Sequence, residues 1–190
     1  MNSEFIKLGL GKLAGFSYLA HNGMRLLAKL GERADPFDRA SDSGRQVWNS
    51  GLSGIRWEFA DDIMEFRSES VEFAYPTHDM QGVVVIFGAN DLYGYPDNAV
   101  ILNADATVRC RIRAPQKPAS GRASSVMRID QAFWARRPSG EICTAITVTL
   151  GTYRLSDGQI KPWISDYYEE REIDVQTGEC IGELLGSGRW

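Results

Sequence analysis

From residue 108 to residue 113 the chain alternates strictly, with Val108, Cys110 and Ile112 set between Arg109, Arg111 and Arg113. Successive side chains of a strand point to opposite faces, so this spacing puts three apolar groups on one side and three guanidiniums on the other. The same period of two recurs over 141–150. There Ile142, Thr144, Ile146, Val148 and Leu150 share one face, and Cys143, Ala145, Thr147 and Thr149 share the other, the pattern of a central strand. Gly82 to Phe87 is continuously apolar and reads as a strand buried on both faces.

This grammar predicts strands near 55–60, 63–67, 70–75, 82–87, 98–103, 107–113, 126–134, 141–150, 152–156, 166–174 and 179–184. Turn signals separate them, among them Asp61-Asp62, Asn103-Ala104-Asp105, Pro138-Ser139-Gly140, Ser156-Asp157-Gly158 and Gln176-Thr177-Gly178. The Gly pairs supply the positive φ that tight hairpins need. Short strands at this spacing, with no helical windows between them, make the fold mainly β. They form an antiparallel meander closing into a barrel, a sandwich or a strongly twisted sheet.

The N-terminal part reads differently and gives the chain α+β content. Phe5, Ile6, Leu8, Leu13, Phe16, Leu19, Leu26, Leu27 and Leu30 suggest helical packing, with Ser3 as N-cap and Gly31 as a stop. Gly9, Gly11, Gly15 and Gly23 argue against one continuous helix, since each costs ~1 kcal/mol relative to alanine. Two short helices broken near Asn22-Gly23 are expected. From Glu32 to Ser53 the chain is polar, a loop or linker with a short helix around Gln46. The expected division is a helical N-terminal segment and linker over 1–53 and an antiparallel β domain over 54–190, together one compact domain.

With 190 residues, 43% hydrophobic, the chain can bury a sizeable core. A net charge of −4 gives no general attraction to nucleic acid or an acidic membrane. Cys110, Cys143 and Cys180 are odd in number and sit inside predicted strands, so three reduced, half-buried thiols in a reducing compartment are expected. The start lacks the pattern of a signal peptide, and Leu13 to Ala20 falls short of the ~20 residues a membrane helix needs. These features point to the cytoplasm and to no membrane association.

Catalytic motifs are scarce. Gly51-Leu52-Ser53-Gly54 lacks the last glycine of a nucleophile elbow, and Gly9-Leu10-Gly11 is not preceded by a strand or closed by Gly-Lys-Ser/Thr. No spacing matches a metal site, so neither metal nor cofactor is expected. The one pair with general-base chemistry is His78-Asp79, in a turn between two strands, where Asp79 is placed to orient an imidazole. It is the basis of an enzyme or small-ligand binder with a pocket in the β domain.

The charges are more telling because they come in blocks. Between Glu58 and Asp79 seven acids stand against Arg67; from Arg109 to Arg137 eight bases stand against Asp130; from Asp166 to Glu183 seven acids stand against Arg171. Adjacent strands can neutralise such blocks across a sheet, or the blocks can steer a charged partner. The arginine belt Arg109, Arg111 and Arg113, with Lys117 and Arg122, would suit a phosphate backbone but lacks interleaved aromatics. In the last block, Trp163, Asp166, Tyr167, Tyr168, Glu169, Glu170 and Glu172 interleave rings with carboxylates. Interfaces favour rigid aromatic anchors, and carboxylates complement a basic partner. The composition therefore points to a non-enzymatic domain that binds a basic protein, in its most specific form an immunity- or antitoxin-like inhibitor of a toxin or nuclease. On that reading Glu169 and Glu170 are exposed, and reversing them to lysine leaves folding nearly unchanged.

Overall fold

The computed structural model describes residues 11–88 and 92–190. Its strands are β1 (Ala14–Ala20), β2 (Arg25–Leu27), β3 (Leu52–Phe59), β4 (Asp62–Arg67), β5 (Val71–Pro76), β6 (Gly82–Phe87), β7 (Ala99–Asn103), β8 (Val108–Ile112), β9 (Ser125–Arg136), β10 (Ile142–Ser156), β11 (Gln159–Ile173) and β12 (Cys180–Arg189). One helix, α1 (Asp42–Ser50), connects β2 to β3. The strands form three four-stranded sheets in the orders β2-β1-β3-β4, β5-β6-β7-β8 and β12-β11-β10-β9. Every neighbouring pair is antiparallel, and none of the three sheets closes on itself. The second and third sheets are meanders, the first sets β1 between β2 and β3, and no sheet is a closed barrel.

The strand expectations from residue 55 onward are met in order, with one merger and two long extensions, one of which carries β12 to Arg189 rather than 184. The predicted strands 141–150 and 152–156 are one strand, β10, and β11 begins at Gln159 rather than 166. Asp157 (φ 53°) and Gly158 (φ 73°) close that long hairpin with the two consecutive positive φ values of a tight turn. β6 is buried along its whole length, and β10 lies inside its sheet between β9 and β11.

The first thirty residues require a correction. Ala14–Ala20 and Arg25–Leu27 are strands, not two short helices. Asn22-Gly23 belongs to a hairpin turn, in which the Gly23 N–H reaches the Ala20 carbonyl (3.0 Å) and Gly23 takes φ 82°. β1 is an inner strand, its last five residues buried whichever way they point, so its apolar run carries no alternation and resembles a helix segment. Ser3, Phe5, Ile6, Leu8 and Gly9 lie outside the described residues. The helical part of this region is α1, near Gln46 as expected. Ser41 caps it by accepting the Gly44 N–H (3.1 Å), and Gly51 (φ 72°) ends it. Gly44 is obligatory there, because a Cβ would overlap the Phe37 carbonyl.

Three polar pins join the sheets through the core. The Tyr18 hydroxyl donates to the Ala74 carbonyl (2.7 Å), the Trp57 indole to the Ala104 carbonyl (2.7 Å), and the Trp134 indole to the Pro76 carbonyl (2.8 Å). Each buries a large ring while satisfying its polar end. Asn98, fully buried, donates to the Phe87 and Ile129 carbonyls (2.7 and 3.0 Å) and accepts the Ile129 N–H (2.9 Å). Around these pins Tyr18 stacks on Phe37 (4.3 Å between centroids), and Phe37 meets Phe73 edge to face.

Candidate functional site

The residues singled out on β11 separate by strand parity. Tyr168, Glu170 and Glu172 stand opposite Thr149, Thr147 and Ala145 on one face of the sheet, and Glu169 and Arg171 belong to the other. Contrary to expectation, the three glutamates are buried. Glu169 is 0% exposed; its carboxylate accepts the Ser120 N–H (2.6 Å) and faces Arg171 at 3.7 Å. Glu170 takes a two-pronged bond from Arg33 (2.8 and 2.7 Å), whose guanidinium also lies 5.1 Å over the Phe133 ring. Glu172 is bound by Arg137, which holds Glu141 as well. All three carboxylates are thus held by partners within the fold. Gly186 and Gly188 on β12 make this possible, since a Cβ at either would strike Glu170 or Tyr168.

The remaining residues of that set do reach the surface. Asp166 is exposed and paired with Arg189 (2.8 Å). Tyr167 is half-buried with Arg122 and Arg189 near its ring, and Tyr168 packs against Trp190 (4.8 Å). Trp163 is 55% exposed, with the Arg154 guanidinium 4.6 Å over its ring. It belongs to a two-stranded ribbon, residues 152–163, in which β10 and β11 continue past the last pairings of β9 and β12. Tyr153 (57% exposed), Ile160 (74%) and Ile164 (56%) lie on or beside this ribbon. The sequence predicts the first arm, at 152–156, and the Ser156-Asp157-Gly158 turn, but no strand over 159–165, where Lys161-Pro162 interrupts the alternation. The signal that could have found the second arm is that same turn, which calls for a partner strand directly after it.

The base of the ribbon borders a cleft of about 620 Å³. Ile164, Ser165 and Trp190 form one side, α1 contributes Trp48, and β5 contributes Val71 and Phe73. Arg128, Asp130 and Thr149 come from β9 and β10. Glu69 and Glu72 are exposed in its wall, and no ion pair engages either among the described residues. Asp130 accepts from the Thr149 hydroxyl and lies 2.6 Å from Arg128. Burial nevertheless dominates and raises its pKa above the ordinary carboxylate value, although Thr149 and Arg128 oppose this.

The other sequence candidates resolve into structural roles. The His78 N–H and ring Nδ1 both lie 2.9 Å from the Thr144 hydroxyl, whereas Asp79 accepts from the Thr77 hydroxyl (2.6 Å) and the Gln81 N–H (3.0 Å). The two do not form an acid–base pair. Arg109 is spent on Asn103 and on the Val175 and Gln81 carbonyls (2.7–3.0 Å), and Arg111 on the Asp97 carbonyl (2.8 Å). Arg109 and Arg111 thus staple loops together, whereas Arg113, Lys117 and Arg122 are exposed. Cys110, Cys143 and Cys180 are free thiols, Cys143 buried and the others half-buried. Burial pushes the Cys180 thiol up to about 11. Among the described residues no three His, Cys, Asp or Glu side chains are grouped to hold a metal ion. No helix there is long and apolar enough to cross a membrane.

No family model matches the chain, and no curated protein matches it. Among solved structures, the fold is similar to a chain from "Structure of Tne2 in complex with Tni2", with a TM-score of 0.52 and 13% sequence identity. The match covers 94% of this chain and 99% of that one. At this identity the likeness is one of fold: the arrangement of antiparallel sheets recurs in a chain of a two-protein complex.

Proposed function

We propose that this chain is a non-enzymatic protein-binding domain, an immunity- or antitoxin-like inhibitor whose basic partner seats on the β10–β11 ribbon. The observation that carries the reading is the concentration of exposed apolar side chains there. Tyr153, Ile160, Trp163, Ile164 and the adjacent Trp190 are each more than half exposed. By register Tyr153, Ile160 and Ile164 share one face of the ribbon and Trp163 stands on the other beside Arg154. Both faces therefore carry exposed apolar groups, and exposed apolar surface of this kind marks interaction surfaces. Asp166 sits at the edge of the patch, and the fold neighbour's place in a complex of two proteins adds support. The partner-facing set is therefore Trp163, Asp166 and the exposed edges of Tyr167 and Tyr168, joined by Tyr153 and Ile160. Glu169, Glu170 and Glu172 leave it. The cleft beside the ribbon favours a second reading, a small-ligand binder, since its volume lies within the ~300–1,000 Å³ of such sites.

The test pairs capture with a defined variant. Tagged wild-type protein and the double variant Ile160→Ser/Trp163→Ala are each used to capture proteins from the source cell. A basic protein bound at one-to-one stoichiometry by the wild type, inhibited by it, and lost by the variant at unchanged circular dichroism is the expected result. Its affinity falls as salt rises. The ribbon itself carries Arg154 and Lys161 against Asp157, so this fall comes from screening of Glu69 and Glu72 in the adjoining cleft. Equal capture by the variant places the interface elsewhere, and an uninhibited partner removes the inhibitor reading.

A further inference from the structure

The cleft beside the ribbon has a composition that selects one kind of side chain. Its walls carry the rings of Phe37, Trp48, Phe73 and Trp190; Trp48 and Trp190 are partly exposed, with the Arg39 guanidinium lying 5.1 Å over the Trp48 ring and Tyr168 packed on Trp190. Three carboxylates, Glu69, Glu72 and Asp130, face it against one guanidinium, Arg128. Asp130 and Arg128 hold each other, so the surplus falls on Glu69 and Glu72. A concave site with flat aromatic walls and an excess of carboxylate suits a planar cation. A guanidinium stacks on rings and presents a fork of donors to carboxylates, and it keeps its charge at every working pH. An ammonium group has neither the plane nor the fork. The molecule itself uses this pairing nearby, where Arg33 lies over Phe133 while binding Glu170 with both nitrogens.

We infer that the cleft receives an arginine side chain of the basic partner, with Trp48 and Trp190 as its walls and Glu69 and Glu72 as its counter-charge. This rests on the protein-binding reading and gives it a specific contact. The cleft and the ribbon are continuous through Ile164 and Ser165, so a partner lying on the ribbon has the cleft within reach of one long side chain. Burying a guanidinium between two rings and two carboxylates makes a central, desolvated anchor of the kind that dominates interface energetics. Its long-range attraction also steers the encounter.

The isolated chemistry is testable before any partner is known. Wild-type protein labelled with nitrogen-15 is titrated with N-acetyl-arginine amide, and the five tryptophan indole N–H resonances are followed. N-acetyl-citrulline amide serves as the uncharged isostere. Saturable shifts of the Trp48 and Trp190 signals in the millimolar range are expected, with citrulline inert. Trp57 and Trp134, whose indoles are tied to the Ala104 and Pro76 carbonyls, stay in place. The variant Glu69→Gln/Glu72→Gln weakens the arginine response by about threefold or more, the scale of losing two partly exposed ion pairs. Asp157→Asn, at the ribbon turn, changes nothing. An equal response to citrulline, shifts confined to Trp163, no saturation, or an unchanged response in the glutamine variant each overturns the proposal. A partner whose capture survives Glu69→Gln/Glu72→Gln but not Ile160→Ser/Trp163→Ala would sink the arginine contact and leave the ribbon interface standing.

Discussion

Glu170 sits at 8% exposure with both carboxylate oxygens held by Arg33. Glu170→Lys sets an ammonium against that guanidinium inside the fold and is expected to cost more than about 3 kcal/mol, the range for breaking a buried pair. Arg33→Ala leaves the carboxylate behind, but Arg33 is half exposed and water can take part of its place, so about 1–3 kcal/mol is expected. Urea unfolding of the two variants checks both the size and the order. Asp130 makes a pH-dependent claim. Its folded-state pKa is raised by burial, so its ionised form is disfavoured in the folded state. The stability associated with the neutral carboxyl is present below the unfolded-state pKa and is lost as pH rises through the folded-state value. Relative to Asp130→Asn, the wild type should therefore lose stability between acid and neutral pH. A parallel pair of stability curves over that range would contradict the assignment.

At the scale of elements, the ribbon is separable from the sheet that bears it. Replacing 152–163 by an Asn-Gly turn should keep the Thr149–Tyr168 pairing and leave the denaturation midpoint nearly unchanged while abolishing partner capture. A large loss of stability would show that the ribbon is part of the core. Legibility in the sequence follows the same division. β10 and β6 were readable because one alternates cleanly and the other is uniformly apolar with turn residues on both sides. β1 was not, because an inner strand with a Gly15 bulge and no alternation carries the same local signal as a helical turn. On β11 the identity of the side chains was visible but their partners were not. Arg33 lies 137 positions before Glu170, and nothing local in Tyr167-Tyr168-Glu169-Glu170 tells a salt-bridged glutamate from a solvated one. The β11 arm of the ribbon was hidden for a different reason: exposed strands need no hydrophobic face toward a core, so period two fades there.

Across the whole molecule, the three sheets share one hydrophobic core, and Asn98 is a buried polar joint within it. Its amide satisfies the Phe87 and Ile129 carbonyls and the Ile129 N–H at once, joining the second and third sheets. Asn98→Leu is close in volume but strands those backbone groups in the interior, at an expected cost of about 1–3 kcal/mol or more. Calorimetric melting is the check, and a variant as stable as the wild type would mean water enters in its place.

Each sheet is also a contiguous stretch of chain: the first is complete at Arg67, the second at Ile112, and the third occupies everything after Ser125. During synthesis, then, a growing chain can finish the pairing of one sheet before the next has left the ribosome. The Asn98 joint waits for Ile129 to emerge, and the ribbon follows Ile129 in the chain. The exposed rings of the ribbon are therefore presented to the cell only once the strands of the first two sheets can already have paired.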